Sequence, residues 1–309
     1  MQLCLEVWGT DYEKVREACI HAEKLGYHGF YYGESLSDID LDCWTVLSSL
    51  SCLTTKIKLG PVITYPFPQY RNVALLAKQA TTLQQISNGR LEFRIGAGAT
   101  LQYAVQWWYP YGIEYPTGKE RVSILEEALH VLKKLWDTND DNNNNSSVYF
   151  SGKYFAVNGA SIRRTITKIP ITIAAKKKRM MNLAARYADT WESSYVTPYE
   201  FSHLNTEFSY ICTNVNNNNN GKTNITRSVE LDVVIAESDS ELEYKKRIFA
   251  MERGPGVYNQ AIKHGLIGKP NTVAERLREY ITAGVDQFLL AFQDPLDLRA
   301  LELLVDSLN

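Results

Sequence analysis

Short apolar segments alternate with longer segments of helical periodicity along most of the chain. Eight of them predict buried strands, at residues 3–8, 29–32, 57–64, 91–95, 169–174, 189–193, 229–236 and 286–291. Between them apolar residues recur at helical spacing, as at Val15, Ala18, Ala22 and Leu25, where Asp11 can cap the helix. The pattern therefore predicts a regular alternation of strands and helices.

This alternation is typical of parallel strands joined by right-handed helical crossovers. It suits either an open doubly wound sheet or a closed barrel. Eight strands spread over the full length favour closure, and no shift in composition marks a boundary. We therefore predict an α/β fold, a (β/α)8 TIM barrel with insertion loops, forming a single domain over residues 1–309.

Three segments interrupt the alternation and predict insertions. Residues 99–118 are rich in aromatic side chains, proline and glycine, which indicates a long loop. Residues 148–168 suggest a small extended segment or hairpin, and 251–270 an irregular or helical insertion. Asn-rich runs at 138–147 and 216–220 have the low-complexity composition of surface loops.

Composition and charge narrow the possible partners. The 33 Lys and Arg residues nearly balance 35 Asp and Glu, for a net charge of −2, so no basic surface suggests a nucleic acid. No apolar run is long enough to span a membrane, and the start MQLCLEVWG lacks a basic segment before an apolar one. The five cysteines are odd in number without a C-x-x-C pair, which argues against disulfides or zinc. We expect a cytoplasmic protein with a small-molecule substrate and no metal.

One segment, IKLGPVITYPFPQYRNVALLAKQATTLQQISNGRLEFRIGAGA, resembles the luciferase-like superfamily of flavin- and deazaflavin-dependent oxidoreductases. Three later segments support this resemblance, namely IPITIAAKKKRMMNLAARYADTW, GKPNTVAERLREYITAGVDQFLL and DPLDLRALELL. Together they cover nearly the whole chain in the expected order. The start MQLCLEVWG and the turn KLGPVIT are similar to methylenetetrahydromethanopterin reductases, which use coenzyme F420, a deazaflavin.

The resemblance implies an oxidoreductase that transfers a hydride between coenzyme F420 and an unidentified small organic substrate at the C-terminal face of the barrel. Two alternatives stay open at this point. One is an FMN-dependent luciferase-like monooxygenase, and the other is a flavin-binding relative that has lost catalysis. Relatives of this kind are usually dimers, so the resemblance also implies a homodimer.

Three groups of residues match cofactor-binding positions of the superfamily. They are Val62, Ile63 and Thr64; Gly96, Ala97 and Gly98; and Ala174, Ala175, Lys176, Lys177 and Lys178. The first corresponds to a bulge with a cis non-prolyl peptide, and an ordinary buried strand is the alternative. The second group, at residues 96–98, would allow the backbone to approach the flavin closely, and a tight turn is the alternative. The third lies where relatives bind the cofactor phosphate, although a solvated charge run has the same composition.

The candidate catalytic residues depart in part from the superfamily pattern. Glu6 occupies the position of a glutamate in the reductases, but it could instead pair with Arg94 inside the barrel. Glu34 and Ser35 stand where many relatives carry Asp-His. Ala99 replaces a glutamate of F420-dependent sugar-phosphate dehydrogenases, which argues against that reaction.

Aromatic residues supply the candidate substrate wall, because flat apolar rings exclude water from a hydride-transfer site. We assign Trp8, Trp107 and Trp108 to it on this ground. For the two tryptophans of the 99–118 loop, packing of the loop against the barrel rim is the alternative.

Overall fold

The computed structural model describes residues 1–36, 41–101, 106–137, 147–162, 167–217, 224–292 and 296–308. Its strands are β1 (Gln2–Val7), β2 (Gly29–Gly33), β3 (Lys58–Val62), β4 (Phe93–Ile95), β5 (Val148–Ser151), β6 (Ala156–Ala160), β7 (Ile171–Ala174), β8 (Thr190–Ser194), β9 (Thr226–Ile235), β10 (Leu266–Gly268) and β11 (Gln287–Phe292). Its α-helices are α1 (Tyr12–Leu25), α2 (Cys43–Leu53), α3 (Val73–Ile86), α4 (Gly118–Trp136), α5 (Lys178–Tyr187), α6 (Pro198–Asn217), α7 (Asp239–Arg253), α8 (Pro255–His264), α9 (Pro270–Thr282) and α10 (Leu298–Asp306). No described helix combines the length and apolar character needed to cross a membrane.

Local chemistry explains where several helices begin. The Asp11 carboxylate accepts hydrogen bonds from the backbone N–H groups of Glu13 and Lys14, as predicted for α1. Asn72 caps α3 and Thr117 caps α4 in the same way. These side chains satisfy N–H groups that have no partner inside the helix.

The parallel strands follow the order β3-β2-β1-β11-β9-β8-β7-β4 in one sheet, and β10 pairs with β9. Parallel bridges from Leu59 to Leu91 and from Thr64 to Ile95 link the two strands at the ends of this order. An open doubly wound sheet has no such link. The predicted (β/α)8 fold class is therefore confirmed.

The chain forms two compact units. Unit 1 comprises Met1–Tyr31 and Ala174–Asn309, and unit 2 comprises Tyr32–Ile173. In unit 1, β9 lies between β8 and β11, and β11 also pairs with β1, all in parallel. In unit 2, β4 pairs with β7, and Phe93 packs against Trp44 and Trp136 from α2 and α4. The single domain over 1–309 stays a prediction.

The insertions differ in part from expectation. The hairpin predicted within 148–168 is confirmed as antiparallel β5 and β6. The predicted aromatic loop contains a 3-10 helix at Tyr109–Tyr111, and the 251–270 insertion contains α8 and the short strand β10. Only three residues long, β10 gave no periodic signal. Most of the Asn-rich run 138–147, and residues 218–220 of the second run, lie outside the described residues.

Candidate functional site

Glu6, Glu230 and Asp232 are among the buried acidic side chains on one face of the sheet in unit 1. Glu6 on β1 is in register with Ala291 on β11, which is in register with Asp232 on β9. Register partners in parallel strands direct their side chains to the same face, and Glu230 joins them because it lies two residues before Asp232. Glu6 is 3% exposed, Asp232 6% and Glu230 8%. The face therefore concentrates carboxyl groups that can hold protons.

Each of these carboxyl groups has a defined partner. The Trp8 indole N–H donates to Glu6 Oε1 at 2.5 Å. His264 Nε2 lies 3.1 Å from Asp232 Oδ2, and His264 is itself buried at the end of α8. These contacts orient the carboxyl groups, and the Trp8 contact ties this predicted substrate residue to the predicted acid.

Tyr195 completes the cluster from the end of β8. Its hydroxyl hydrogen-bonds to Glu230, and its ring centroid lies 5.3 Å from that of His264. Burial among protein atoms, followed by the carboxylates of Glu230, Glu6 and Asp232, raises the pKa of Tyr195 well above its usual value. Tyr195 as a whole residue is 41% exposed, whereas its hydroxyl lies among the acidic side chains.

Glu34 forms an ion pair in unit 2. Its carboxylate binds the Arg71 guanidinium and accepts a hydrogen bond from the Tyr70 hydroxyl at 2.9 Å, while its backbone N–H donates to Val62 O. Burial lowers the pKa of Arg71 to about 10. This predicted catalytic residue is thus held by its neighbours, and Ser35 is half-buried beside it.

The expected cis peptide is present between Val62 and Ile63. Ile63 is half-buried, and a Cβ on Gly96 would lie 3.2 Å from its Cγ2 atom. Thr64 forms a parallel β-bridge with Ile95. Ile95 lies on the same strand face as Phe93, and this face packs against the helices. The Thr64 side chain is fully buried, and its backbone is used in the sheet, because its N–H donates to Arg94 O and its carbonyl oxygen accepts from Gly96 N–H.

The loop after β4 is held in place by Arg121 of α4 and by Tyr115, which lies just before that helix. Arg121 donates to the carbonyl oxygens of Ala97 at 2.8 Å and Ala99 at 2.9 Å. The Tyr115 hydroxyl also donates to Ala99 O, and Gly98 adopts a positive φ of 79°. Burial raises the pKa of Tyr115 to about 12, with Arg121 opposing. The predicted backbone turn at Gly96–Gly98 is therefore a fixed surface almost without side chains.

The predicted aromatic wall divides into two environments. Trp108 is 3% exposed and its ring contacts those of Tyr65, Phe67, Tyr70 and Tyr115. These contacts correspond to the packing alternative. Trp107 is half-buried. A substrate role for either residue stays a prediction.

The lysine run in unit 1 lies at the start of α5. Ala175 is fixed by hydrogen bonds, because its N–H donates to Glu192 O and its carbonyl accepts from the Trp191 indole. Lys176, Lys177 and Lys178 are exposed, and Lys176 Nζ donates to Ser194 O at 2.9 Å. In the described part of the chain, Lys177 makes no side-chain capping bond to α5. A helix N-terminus with three cations suits an anion.

A family model supplies the deciding comparison. The luciferase-like monooxygenase family model matches residues 6–251. The chain belongs to this family. Proteins of this family are oxidoreductases.

Curated relatives match part of this luciferase-like chain. A phthiodiolone/phenolphthiodiolone dimycocerosates ketoreductase of Mycobacterium tuberculosis is 29% identical over 50% of the chain and 38% of its own length. A 5,10-methylenetetrahydromethanopterin reductase of Archaeoglobus fulgidus is 30% identical over 47% of the chain and 39% of its own length. The matches thus span about two fifths of these relatives.

Solved structures of similar fold include both cofactor types. An F420-dependent secondary alcohol dehydrogenase in complex with an F420-acetone adduct has a TM-score of 0.82 and 16% identity, covering 100% of this chain and 99% of that one. A type II Baeyer-Villiger monooxygenase component of Pseudomonas putida in complex with FMN has a TM-score of 0.74 and 17% identity, covering 100% and 98%. At these identities the likeness concerns the fold.

Sequence reasoning missed several of the polar residues described above in the two units. They are Arg71, Arg121, Tyr195, Glu230, Asp232 and His264. A signal existed for two of them, because Glu230 and Asp232 interrupt the apolar strand VELDVVI at alternate positions. The others carry no local signal, since their partners are distant in the chain. Among the described residues, no cluster of His, Cys, Asp or Glu could hold a metal ion.

Proposed function

We propose that this luciferase-like oxidoreductase transfers a hydride between coenzyme F420 and a small organic substrate. The observation that carries the proposal is the cluster of ionisable groups Glu6, Tyr195, Glu230, Asp232 and His264 in unit 1. A hydride added to a carbonyl carbon leaves an electron pair on oxygen, which must be protonated. The names of the two curated relatives, a ketoreductase and a reductase, are consistent with such chemistry.

The strand end in unit 2 fits an extended ring. Gly96, Ala97 and Gly98 bring backbone rather than bulky side chains to the surface, and Ile63 adds an apolar side chain beside Gly96. A deazaflavin ring needs such an apolar shelf with backbone groups for its polar edge. We assign Val62, Ile63, Thr64 and the Gly96–Gly98 turn to the ring.

The start of α5 in unit 1 fits an acidic group. Coenzyme F420 carries a phosphodiester and an oligoglutamate tail, and both are anionic. We assign Ala174, Ala175 and the lysines at 176–178 to these groups, since exposed ammonium groups and free helix N–H groups attract anions.

The chemistry supplied by bound F420 is hydride transfer at ring carbon C5. The protein must then supply or accept a proton at the substrate. We assign this to the Glu6 carboxyl group, which the Trp8 N–H holds in one orientation. Asp232 orients His264, and Tyr195 contributes a neutral hydroxyl. Trp8 and Trp107 would exclude water from the substrate.

An FMN-dependent monooxygenase is the second candidate, because the family is named for that activity and a structure of similar fold contains FMN. Incubation of the pure protein with F420 or FMN, gel filtration and visible absorbance would separate the two. We expect F420 to co-elute with the protein. Co-purification of FMN, with F420 binding no better than millimolar, would contradict the proposal, and binding of neither would favour a non-catalytic relative. Light scattering would test the homodimer that we also propose.

A further inference from the structure

Arg121 makes three hydrogen bonds to backbone carbonyl groups. Its Nε donates to Ala97 O at 2.8 Å, Nη2 to Ala99 O at 2.9 Å and Nη1 to Pro116 O at 2.9 Å. Its guanidinium also lies 4.3 Å from the Tyr115 ring centroid. A planar guanidinium presents its donors at fixed angles, so it can hold several carbonyl groups in one orientation.

The orientation of the carbonyl groups determines where the N–H groups of the loop point. In a trans peptide, the N–H lies opposite the C=O of the same peptide unit. The N–H groups of Gly98 and Thr100 therefore point away from Arg121. Gly98 N lies 3.9 Å from where a Cβ on Gly96 would sit, on the face to which a side chain at 96 would point. The Gly98 donor is thus turned toward a surface on which Gly96 places no side chain, and the Thr100 donor points away from Arg121.

We propose that Arg121 is a positioning residue for the cofactor ring. By binding Ala97 O and Ala99 O, it aims the N–H groups of Gly98 and Thr100 at acceptor atoms on the polar edge of the ring. The inference rests on the proposed function and extends it to a residue that does not itself touch the cofactor. Fixed N–H donors stabilise the negative charge that the ring gains on reduction, so they also raise the reduction potential of the bound cofactor.

The variants Arg121→Met and Arg121→Lys test this role. Methionine keeps the length but removes every donor, and lysine keeps the charge but has all its donors on one nitrogen, so it cannot reproduce the planar array of Nε, Nη1 and Nη2. We expect Arg121→Met to weaken F420 binding at least about tenfold in a fluorescence titration, because misaligned donors lose their hydrogen bonds. Arg121→Lys should weaken F420 binding nearly as much as Arg121→Met does. The reduction potential of the bound cofactor should become more negative in both variants.

Arg276→Met is the matched control. Arg276 also donates to a backbone carbonyl, that of Lys263, but it lies on α9 in unit 1. The F420 affinity of Arg276→Met should stay within about twofold of the wild-type value. If Arg121→Met does not fold, Tyr115→Phe removes only the hydroxyl bond to Ala99 O and should weaken binding by about threefold.

The outcomes separate this inference from the proposed function. Folded Arg121 variants with wild-type affinity and wild-type potential would overturn the inference alone. A lower melting temperature with unchanged affinity would do the same, since it would show a purely structural role. Wild-type protein that binds neither F420 nor FMN would contradict the proposed function and the inference together.

Discussion

His264 Nε2 lies 3.1 Å from Asp232 Oδ2, and the two side chains are 8% and 9% exposed. The contact joins β9 to the end of α8, and the Tyr280 hydroxyl fixes the same histidine by donating to its carbonyl oxygen. A buried polar pair is far more sensitive to the loss of one partner than an exposed pair is. The pair therefore orders the acidic cluster as well as contributing to it.

Asp232→Ala should lower the free energy of unfolding by about 3 kcal/mol, because it leaves the buried His264 ring without its partner. Urea unfolding followed by circular dichroism would measure the change. Asp239→Ala, which removes an exposed ion pair with Lys269, should cost no more than about 1 kcal/mol. Equal losses in the two variants would contradict the structural importance of the buried pair.

Glu6→Gln tests the proposed proton transfer. The amide oxygen of glutamine can still accept the Trp8 N–H, but the side chain can no longer hold or release a proton. We expect turnover with F420 to fall about 100-fold while F420 affinity is retained. Glu120→Gln on α4 is the control and should leave both values unchanged. Wild-type turnover in Glu6→Gln would exclude Glu6 as the acid.

Arg90, which ends the sequence SNGR at residues 87–90, contributes to the stability of the fold. It donates to five acceptors at 2.7–3.0 Å, namely the carbonyl oxygens of Ser51, Thr54, Ile57 and Ser87 and the Thr54 hydroxyl. Arg90→Met should cost about 3 kcal/mol or more in chemical unfolding, because it strands several buried acceptors. Arg16→Met removes an exposed pair with Glu13 and should change stability by less than about 1 kcal/mol. A small effect at both positions would refute this assignment.

Gly98 and Gly112 form a matched pair for the loop after β4. Both have positive φ, at 79° and 69°, but a Cβ at Gly112 meets open space, whereas one at Gly98 would collide with the Tyr115 hydroxyl. Gly112→Ala should cost about 1–2 kcal/mol from backbone conformation alone, and Gly98→Ala clearly more. Thermal unfolding would compare them. Adding Tyr115→Phe should recover part of the Gly98→Ala loss, and equal costs for the two alanine variants would contradict the close contact.

The three lysines at 176–178 should bind the phosphodiester and the oligoglutamate tail of F420 and should not affect binding of its ring. Replacing Lys176, Lys177 and Lys178 by glutamine should weaken F420 binding about tenfold at low salt and less at high salt, because exposed charges are screened. Binding of the deazaflavin nucleoside, which lacks phosphate and tail, should not change in a fluorescence titration. Glutamine at Lys133 and Lys134 on α4 is the control. Equal weakening of both ligands would refute a phosphate-binding role.

The sequence by itself determined the order of most strands and helices, the Asp11 cap of α1 and the family resemblance. Local periodicity was sufficient for this, because alternation of buried and exposed residues reports which face of an element is packed. It also identified Glu6, Ile63 and Gly98 at strand ends, since parallel strands place their functional residues there. It could not predict β10, which is too short to show a period.

Only the tertiary structure decided which of these residues act together. Asp232 and His264 are 32 residues apart, and Arg121 lies 22 residues beyond Ala99. Tertiary structure likewise buried the Thr64 side chain, and it buried Trp108 among aromatic rings. The physical reason is that strand register and helix packing bring distant residues within hydrogen-bonding distance, and no local period in the sequence records that proximity.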